Sequence, residues 1–269
     1  MTQPGLAFIG GGNMAGAIFG GLVRSGWPAA AITVVEPVAE QRERIAAAWP
    51  GVHVLAAADA TLAAAQIVVW AVKPQSFAEA AAPCAAYIAS ALQLSVMAGI
   101  RSDALVRATG SERIVRAMPN TPALIGQGIA GLFARTAVSA ADRAAVEAVL
   151  APTGQLLWLE HEAQLDAVTA LSGSGPAYVF YFLEAMMDAA EQMGLTREQG
   201  RLLAQATFAG ATALAMQSDE SPATLRERVT SKGGTTFAAL ESMRADEVQE
   251  AIVRAVRAAE QRARELGQA

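Results

Sequence analysis

The sequence predicts an α/β domain built on a doubly wound, mainly parallel sheet, followed by an all-α domain. Three observations predict it. Short apolar runs alternate with helical stretches through the first half of the chain, and a glycine-rich turn joins the first run to the first helix. From about Glu162 onward, long alanine-rich helical stretches replace the alternation. Strands separated by helices pair through right-handed crossovers into a parallel sheet. The expected domains are therefore residues 1–161 and 162–269.

The elements follow in order. Leu6 to Ile9 is a short apolar strand ending in Gly10-Gly11-Gly12. Met14, Ile18 and Leu22 recur at helical spacing, and Gly26 closes that helix. Ile32 to Val35 reads as a second strand, followed by Glu36 and Pro37, then a polar helix from about Val38 to Ala48. A short strand is expected around Val52 to Leu55. Gln66 to Val72 is continuously apolar and stops at Lys73-Pro74, the pattern of a strand buried on both faces. Leu92 to Met97 and Ile114 to Ala117 repeat it. Beyond Glu162, the segment Tyr178 to Gln192 is apolar almost all round, with Glu184, Asp188 and Glu191 on one narrow stripe. Such a helix is normally buried on most sides, and the helical half is too small to bury it alone. A second copy of the chain is the expected cover, in a homodimer through these helices, with higher homo-oligomers left open. Gly173-Ser174-Gly175-Pro176 should kink or interrupt the helical region.

The composition narrows the function. The chain has 269 residues, 53% hydrophobic and 17% charged, with net charge -5. That balance argues against nucleic acid, whose phosphates need a basic face. Asp59 and Gln66 interrupt the most apolar stretch, so no membrane span is expected. The first apolar run has no basic region before it and reads as a strand, not a signal peptide. One cysteine, Cys84, excludes an internal disulfide framework and suits a reducing cytoplasm, with the residue read as a small core side chain. Histidine and cysteine are too few for a metal constellation.

Ligands on an open parallel sheet sit beyond the carboxyl ends of its strands. Four strand ends here carry marked sequences, and they are expected to converge on one crevice. Gly10-x-Gly12-x-x-Ala15 fits the dinucleotide fingerprint. Gly10 permits the tight turn, Gly12 admits the pyrophosphate, and Ala15 with Gly16 lets the helix lie close to the strand. The helix N-terminus offers free amides and a positive dipole end to the phosphates. The expected cofactor contacts are Ile9, Gly10, Gly11, Gly12, Asn13 and Met14 on this loop. Ala71, Val72, Lys73, Pro74, Met97, Ala98 and Asn120 join them from the other strand ends. Glu36, at the second strand end, accepts ribose hydroxyls and repels a 2′-phosphate, which argues for NADH. Arg42 and Arg44 follow it, either as phosphate partners or as a solvated helix face.

Four segments carry a family resemblance. They are Ala71-Val72-Lys73-Pro74, Arg116 to Ala123 (Arg-Ala-Met-Pro-Asn-Thr-Pro-Ala), Leu171 to Tyr178 (Leu-Ser-Gly-Ser-Gly-Pro-Ala-Tyr) and Val229 to Thr236 (Val-Thr-Ser-Lys-Gly-Gly-Thr-Thr). In this order they resemble the pyrroline-5-carboxylate reductases. The resemblance implies a Rossmann domain, an interlocking helical dimerisation domain and an active site shared between them. It also implies reduction of 1-pyrroline-5-carboxylate to L-proline with NADPH or NADH. Lys232 stands where the family signature usually has proline, Arg244 where an acid or amide is typical, and Ala58 where an asparagine near the adenosine is common. Glu36 departs from the Ser, Asn or Arg of NADPH users.

Reduction of a C=N bond needs a hydride, an anchored carboxylate and a proton for nitrogen. The resemblance gives the carboxylate to the Ser231 hydroxyl and the amides of Gly233 and Gly234, with Thr235 in the same cradle. It gives the imine nitrogen to the Thr236 hydroxyl. Ser231 and Thr236 could equally be helix caps. Ser174, with Ser172 and Tyr178, is either the floor of the substrate pocket or part of a packed kink. His53 and His161 read as structural or surface residues, and Lys73 is the other candidate acid. Two rivals stand beside this reading. A 3-hydroxyacid dehydrogenase would place a catalytic lysine between Thr169 and Tyr178, where none occurs. A non-enzymatic redox sensor would not need the Ser231–Thr236 segment.

Overall fold

The computed structural model describes residues 3–267, so positions 1–2 and 268–269 of the expected domains lie outside the described residues. The described chain forms two compact units, residues 3–174 with 259–267 and residues 175–258.

The first unit holds one eight-stranded sheet in the order β3-β2-β1-β4-β5-β6-β7-β8. The strands are β1 Leu6–Ile9, β2 Ile32–Val35, β3 His53–Leu55, β4 Ile67–Trp70, β5 Leu92–Ser95, β6 Ile114–Met118, β7 Gly128–Ala134 and β8 Gly154–Trp158. All neighbours pair in parallel except β6 and β7. Strand order reverses between β1 and β4, the switch point at which such sheets open a crevice. Helices α1 Asn13–Arg24, α2 Ala39–Ala48, α3 Phe77–Ala81, α4 Ala85–Ile88, α5 Ser102–Thr109 and α6 Ala140–Leu150 connect the strands, and α7 Gln164–Val168 follows β8. Successive strand residues point to opposite faces. Leu6 and Phe8 therefore join a core with Ile18, Leu22 and Val69, while Ala7 and Ile9 join another with Trp70, Phe77 and Ile88. Burial on both faces explains why β1 and β4 read as unbroken apolar runs.

Two expectations change. Strands β7 and β8 are absent from the sequence reading, because β7 (GIAGLFA) is glycine-rich and β8 alternates half-buried with exposed residues at the sheet edge. The glycines are needed for close approach. A Cβ at Gly131 would lie 2.9 Å from the Val168 side chain, so this glycine lets α7 pack on the sheet. Residues 162–174 thereby group by contact with the first compact unit. Gly16 does not bring α1 to its strand, since a Cβ there would meet nothing within 4 Å. Fully buried Ala15 makes that contact, and Gly20 and Gly21 make room for the Trp49 ring and Pro152.

The helical run is interrupted at the start of the expected Gly173–Pro176 break, by a π-turn over Thr169–Gly173 and a bend at Ser174, while Gly175 and Pro176 already belong to the next helix. The second unit is wholly helical: α8 Gly175–Gln192, α9 Arg197–Met216, α10 Pro222–Arg228, α11 Thr235–Ala245 and most of α12 Val248–Leu266. Thr196 and Gln199 form a capping box that starts α9. Helices α8 and α9 pack with Phe182 and Phe208 6.3 Å apart. Gly200, almost touching Ala190, lets the pair close. Their outer faces stay open within one chain: Phe180 is 59% exposed, Tyr181 73% and Leu203 55%.

Candidate active site

The carboxyl ends of β1, β2, β4, β5 and β6 lie along one edge of the sheet, so the four marked strand ends converge. Gly10 has φ +97°, and its amide donates to the Val35 carbonyl at 2.9 Å. A Cβ at Gly10 would sit 2.8 Å from the Ala71 carbonyl oxygen, so only glycine fits. The Ala71 amide in turn donates to the Ile9 carbonyl at 2.9 Å, which joins the loop to the Ala71–Pro74 segment. Gly12 precedes α1, and a Cβ there would meet no atom within 4 Å. The first turn of α1, Asn13 and Met14 included, carries neither an acidic residue nor a side-chain cap. Its amides face open space with the helix dipole behind them, which suits a pyrophosphate.

Glu36 is held firmly. The amide of Gly11 donates to its Oε2 and that of Val38 to its Oε1, both at 2.9 Å, and the residue is 8% exposed. Arg42 donates to the carbonyl oxygens of Glu36 and Pro37 at 2.9 and 2.8 Å. Arg44 pairs with Glu40 on an exposed helix face. Gln41, which no motif singles out, donates through Nε2 to the Gly11 carbonyl at 2.6 Å and straps α2 to the loop. Beside Glu36 opens an apolar cleft of about 410 Å³, lined by Val35, Pro37, Ala57, Ala58, Val72 and Ala80. Cys84 also lines it, with its thiol donating to the Ala80 carbonyl at 3.1 Å and pushed up to about 11 by burial.

At the β4 and β5 ends, Ala71, Val72 and Ala98 are half-buried, Met97 is buried, and Lys73 and Pro74 are exposed. Beyond β6, Asn120 accepts from the Ile129 amide through Oδ1 at 3.0 Å and donates through Nδ2 to the Ser172 carbonyl at 3.1 Å. The Ser172 hydroxyl turns back to the Val168 carbonyl at 3.0 Å. Ser174 is half-buried, and its hydroxyl has no hydrogen-bond partner among the described residues.

A polar network behind these strand ends was not evident from the sequence, because its members lie far apart along the chain. Glu162 accepts from the Ser102 amide and hydroxyl at 2.6 and 2.7 Å and from buried Arg116 at 2.8 Å. Arg101 pairs with Asp166 at 2.7 Å. Burial pushes the Glu162 carboxyl up, but the donors from Ser102 and Arg116 outweigh it and hold the group below the usual glutamate range. His53 begins β3 at the sheet edge opposite the crevice, and His161 is exposed.

In the helical unit, residues 231–234 form a turn in which the Gly234 amide donates to the Ser231 carbonyl at 3.0 Å. Gly233 has φ +75°, and Gly234 caps the start of α11. No side chain caps this helix, so neither Ser231 nor Thr236 serves as one. A Cβ at Gly234 would lie 2.6 Å from the Ser231 hydroxyl, which places that hydroxyl over the α11 N-terminus. Thr236 is half-buried on the first turn, and Lys232 is exposed.

Residues 162–266 match the family model for pyrroline-5-carboxylate reductase dimerisation, and residues 5–99 match that for NADP oxidoreductase, coenzyme F420-dependent. The pyrroline-5-carboxylate reductase of Pseudomonas aeruginosa is 45% identical over 100% of this chain and 98% of its own. This chain belongs to the pyrroline-5-carboxylate reductase family. A solved reductase of the family from Coxiella burnetii, 35% identical, superimposes with a TM-score of 0.91 over 98% of each chain. One from Plasmodium falciparum, with NADP bound, does so with a TM-score of 0.88 at 28% identity, over 99% of each chain.

Proposed function

We propose that this protein reduces the cyclic imine 1-pyrroline-5-carboxylate to L-proline with NAD(P)H, the last step of proline synthesis. The observation that carries the reading is the uncapped α11 N-terminus under the Ser231 hydroxyl, in a chain that also holds a dinucleotide loop. The bound dinucleotide supplies the hydride that goes to the imine carbon. Gly10 to Met14 hold its pyrophosphate, and the apolar cleft beside Glu36 takes the adenine. Ala71 to Pro74, Met97 and Ala98 line the nicotinamide side. The Ser231 hydroxyl and the amides of Gly233, Gly234 and Thr235 hold the substrate carboxylate, where the helix dipole favours an anion. The Thr236 hydroxyl contacts the imine nitrogen as it gains its proton.

NADH is the preferred donor in this proposal. Both oxygens of Glu36 already face backbone amides beside the adenine cleft, so a carboxylate stands where a 2′-phosphate would need a cation. Arg42 is tied to backbone carbonyls and Arg44 to Glu40, which leaves neither guanidinium committed to a phosphate. Purified protein is expected to oxidise NADH faster than NADPH, and only when pyrroline-5-carboxylate is added. Turnover of a hydroxy or keto acid but not of the imine would overturn the reaction, and a strict need for NADPH would overturn the role of Glu36.

A second copy of the chain covers the open faces of α8 and α9 in a homodimer. Their exposed aromatic and leucine side chains support this, together with the match to the dimerisation family. No helix among the described residues is long and apolar enough to cross a membrane. The single, buried thiol of Cys84 supports a reducing cytoplasm as the location.

A further inference from the structure

We propose that Asn120 is a positioning residue that holds the π-turn Thr169–Gly173, and with it the Ser174 hydroxyl, against the crevice end of β6. This rests on the reductase reading given above for that sheet edge. Asn120 sits two residues past β6, the strand next to β5 and its Met97-Ala98 end. Its carboxamide is fixed in sense, because one end accepts from an N–H and the other donates to a C=O. The first bond reaches Ile129 in β7 and the second Ser172 in the π-turn, so one side chain ties the turn to the sheet.

A π-turn has a poorer backbone ladder than an α-helix and keeps its shape only when neighbours hold it. Here the Ser174 amide makes the wide bond to the Thr169 carbonyl at 2.8 Å, and Gly173 lies against the Met118 side chain. Ser172 is occupied with the Val168 carbonyl, which leaves Ser174 as the hydroxyl of this segment free to meet a substrate. A polar substrate contact displaced by about 1 Å can cost on the order of a hundredfold in rate. Releasing the Ser172 carbonyl from Asn120 allows such a displacement while leaving the glycine loop untouched.

The test compares Asn120→Asp and Asn120→Ala with the parent full-length enzyme. Asn120→Asp keeps the acceptor for the Ile129 amide and sets a carboxylate oxygen against the Ser172 carbonyl, so it separates the turn from the sheet should Asn120→Ala not fold. Both are expected to raise KM for pyrroline-5-carboxylate by about tenfold or more. The Kd of NADH, read by tryptophan fluorescence, should stay within about twofold of the parent value. Amide exchange at Ser174 should speed up in both. A tenfold weaker Kd for NADH would show that Asn120 touches the dinucleotide and overturn the proposal, as would unchanged KM with unchanged exchange at Ser174. Should the parent enzyme not turn over the imine, the reductase reading fails, while the exchange at Ser174 still decides whether Asn120 holds the turn.

Discussion

The two units of this chain handle their surfaces in opposite ways. In the sheet unit, most buried polar side chains find partners within the chain: Gln93 bridges Trp70 to two backbone carbonyls, and Glu162 collects Ser102 and Arg116, while Trp27 Nε1 and Arg116 Nε have none among the described residues. In the helical unit, Phe180, Tyr181 and Leu203 lie open, and the α11 N-terminus has no side-chain cap. A sheet covered by helices on both faces can bury its own apolar strands. The α8–α9 pair does not, because it has more apolar face than the two helices cover for each other. The first unit buries its own strands on both faces, and the second leaves apolar side chains open within one chain.

Breaking the cover of α8 should have the largest effect. Tyr181→Glu puts a charge into the expected dimer surface and should cost at least about 2 kcal/mol of association. Sedimentation should then show monomers, with activity lost. A dimer that persists would place the interface elsewhere.

Next comes the loop. Gly10→Val sets a side chain against the Ala71 carbonyl at a positive φ and should abolish measurable dinucleotide binding in a fluorescence titration. Thr236→Ala probes the other unit. It is expected to lower kcat by about a hundredfold and to leave the Kd for NADH unchanged. Loss of cofactor binding instead would move Thr236 out of the substrate half.

Glu36→Ser should change the ratio of kcat/KM for NADH to that for NADPH by about tenfold, toward NADPH, the size of one charge-assisted hydrogen bond. It should also weaken both cofactors, because the Gly11 and Val38 amides lose their acceptor.

The smallest effect concerns pH. Glu162 lies below its ordinary value of 4.5, so its contribution to stability is full above that value. It fades as pH falls through the lowered value, where the folded carboxylate takes up its proton. Glu162→Gln should remove about 1 kcal/mol at neutral pH and flatten the acid limb of urea midpoints measured below pH 4.5.

Local pattern made much of this legible. The strands buried on both faces, the glycine loop and the acid at the end of β2 can be read because each depends on neighbours along the chain. Strands β7 and β8 could not be read this way. Gly128 and Gly131 are there for backbone and Val168 to approach, and that need is visible only once those partners are in place. Gln41 escaped for the same reason, and Asn120 was legible only as an expected cofactor contact: each makes its decisive bond to a residue 30 or 52 positions away.

By itself, then, the sequence determined the class of fold, the family and the residue types at the crevice, since periodicity, glycine and charge act over a few positions. Only the tertiary structure decided what those residues are free to do. It tied Arg42 to carbonyls, turned Ser172 away while leaving Ser174 open, and left the α11 N-terminus without a side-chain cap. A side chain's hydrogen-bond partners are set by which strands and turns the fold brings beside it, and that neighbourhood is a property of the whole sheet and not of any one segment.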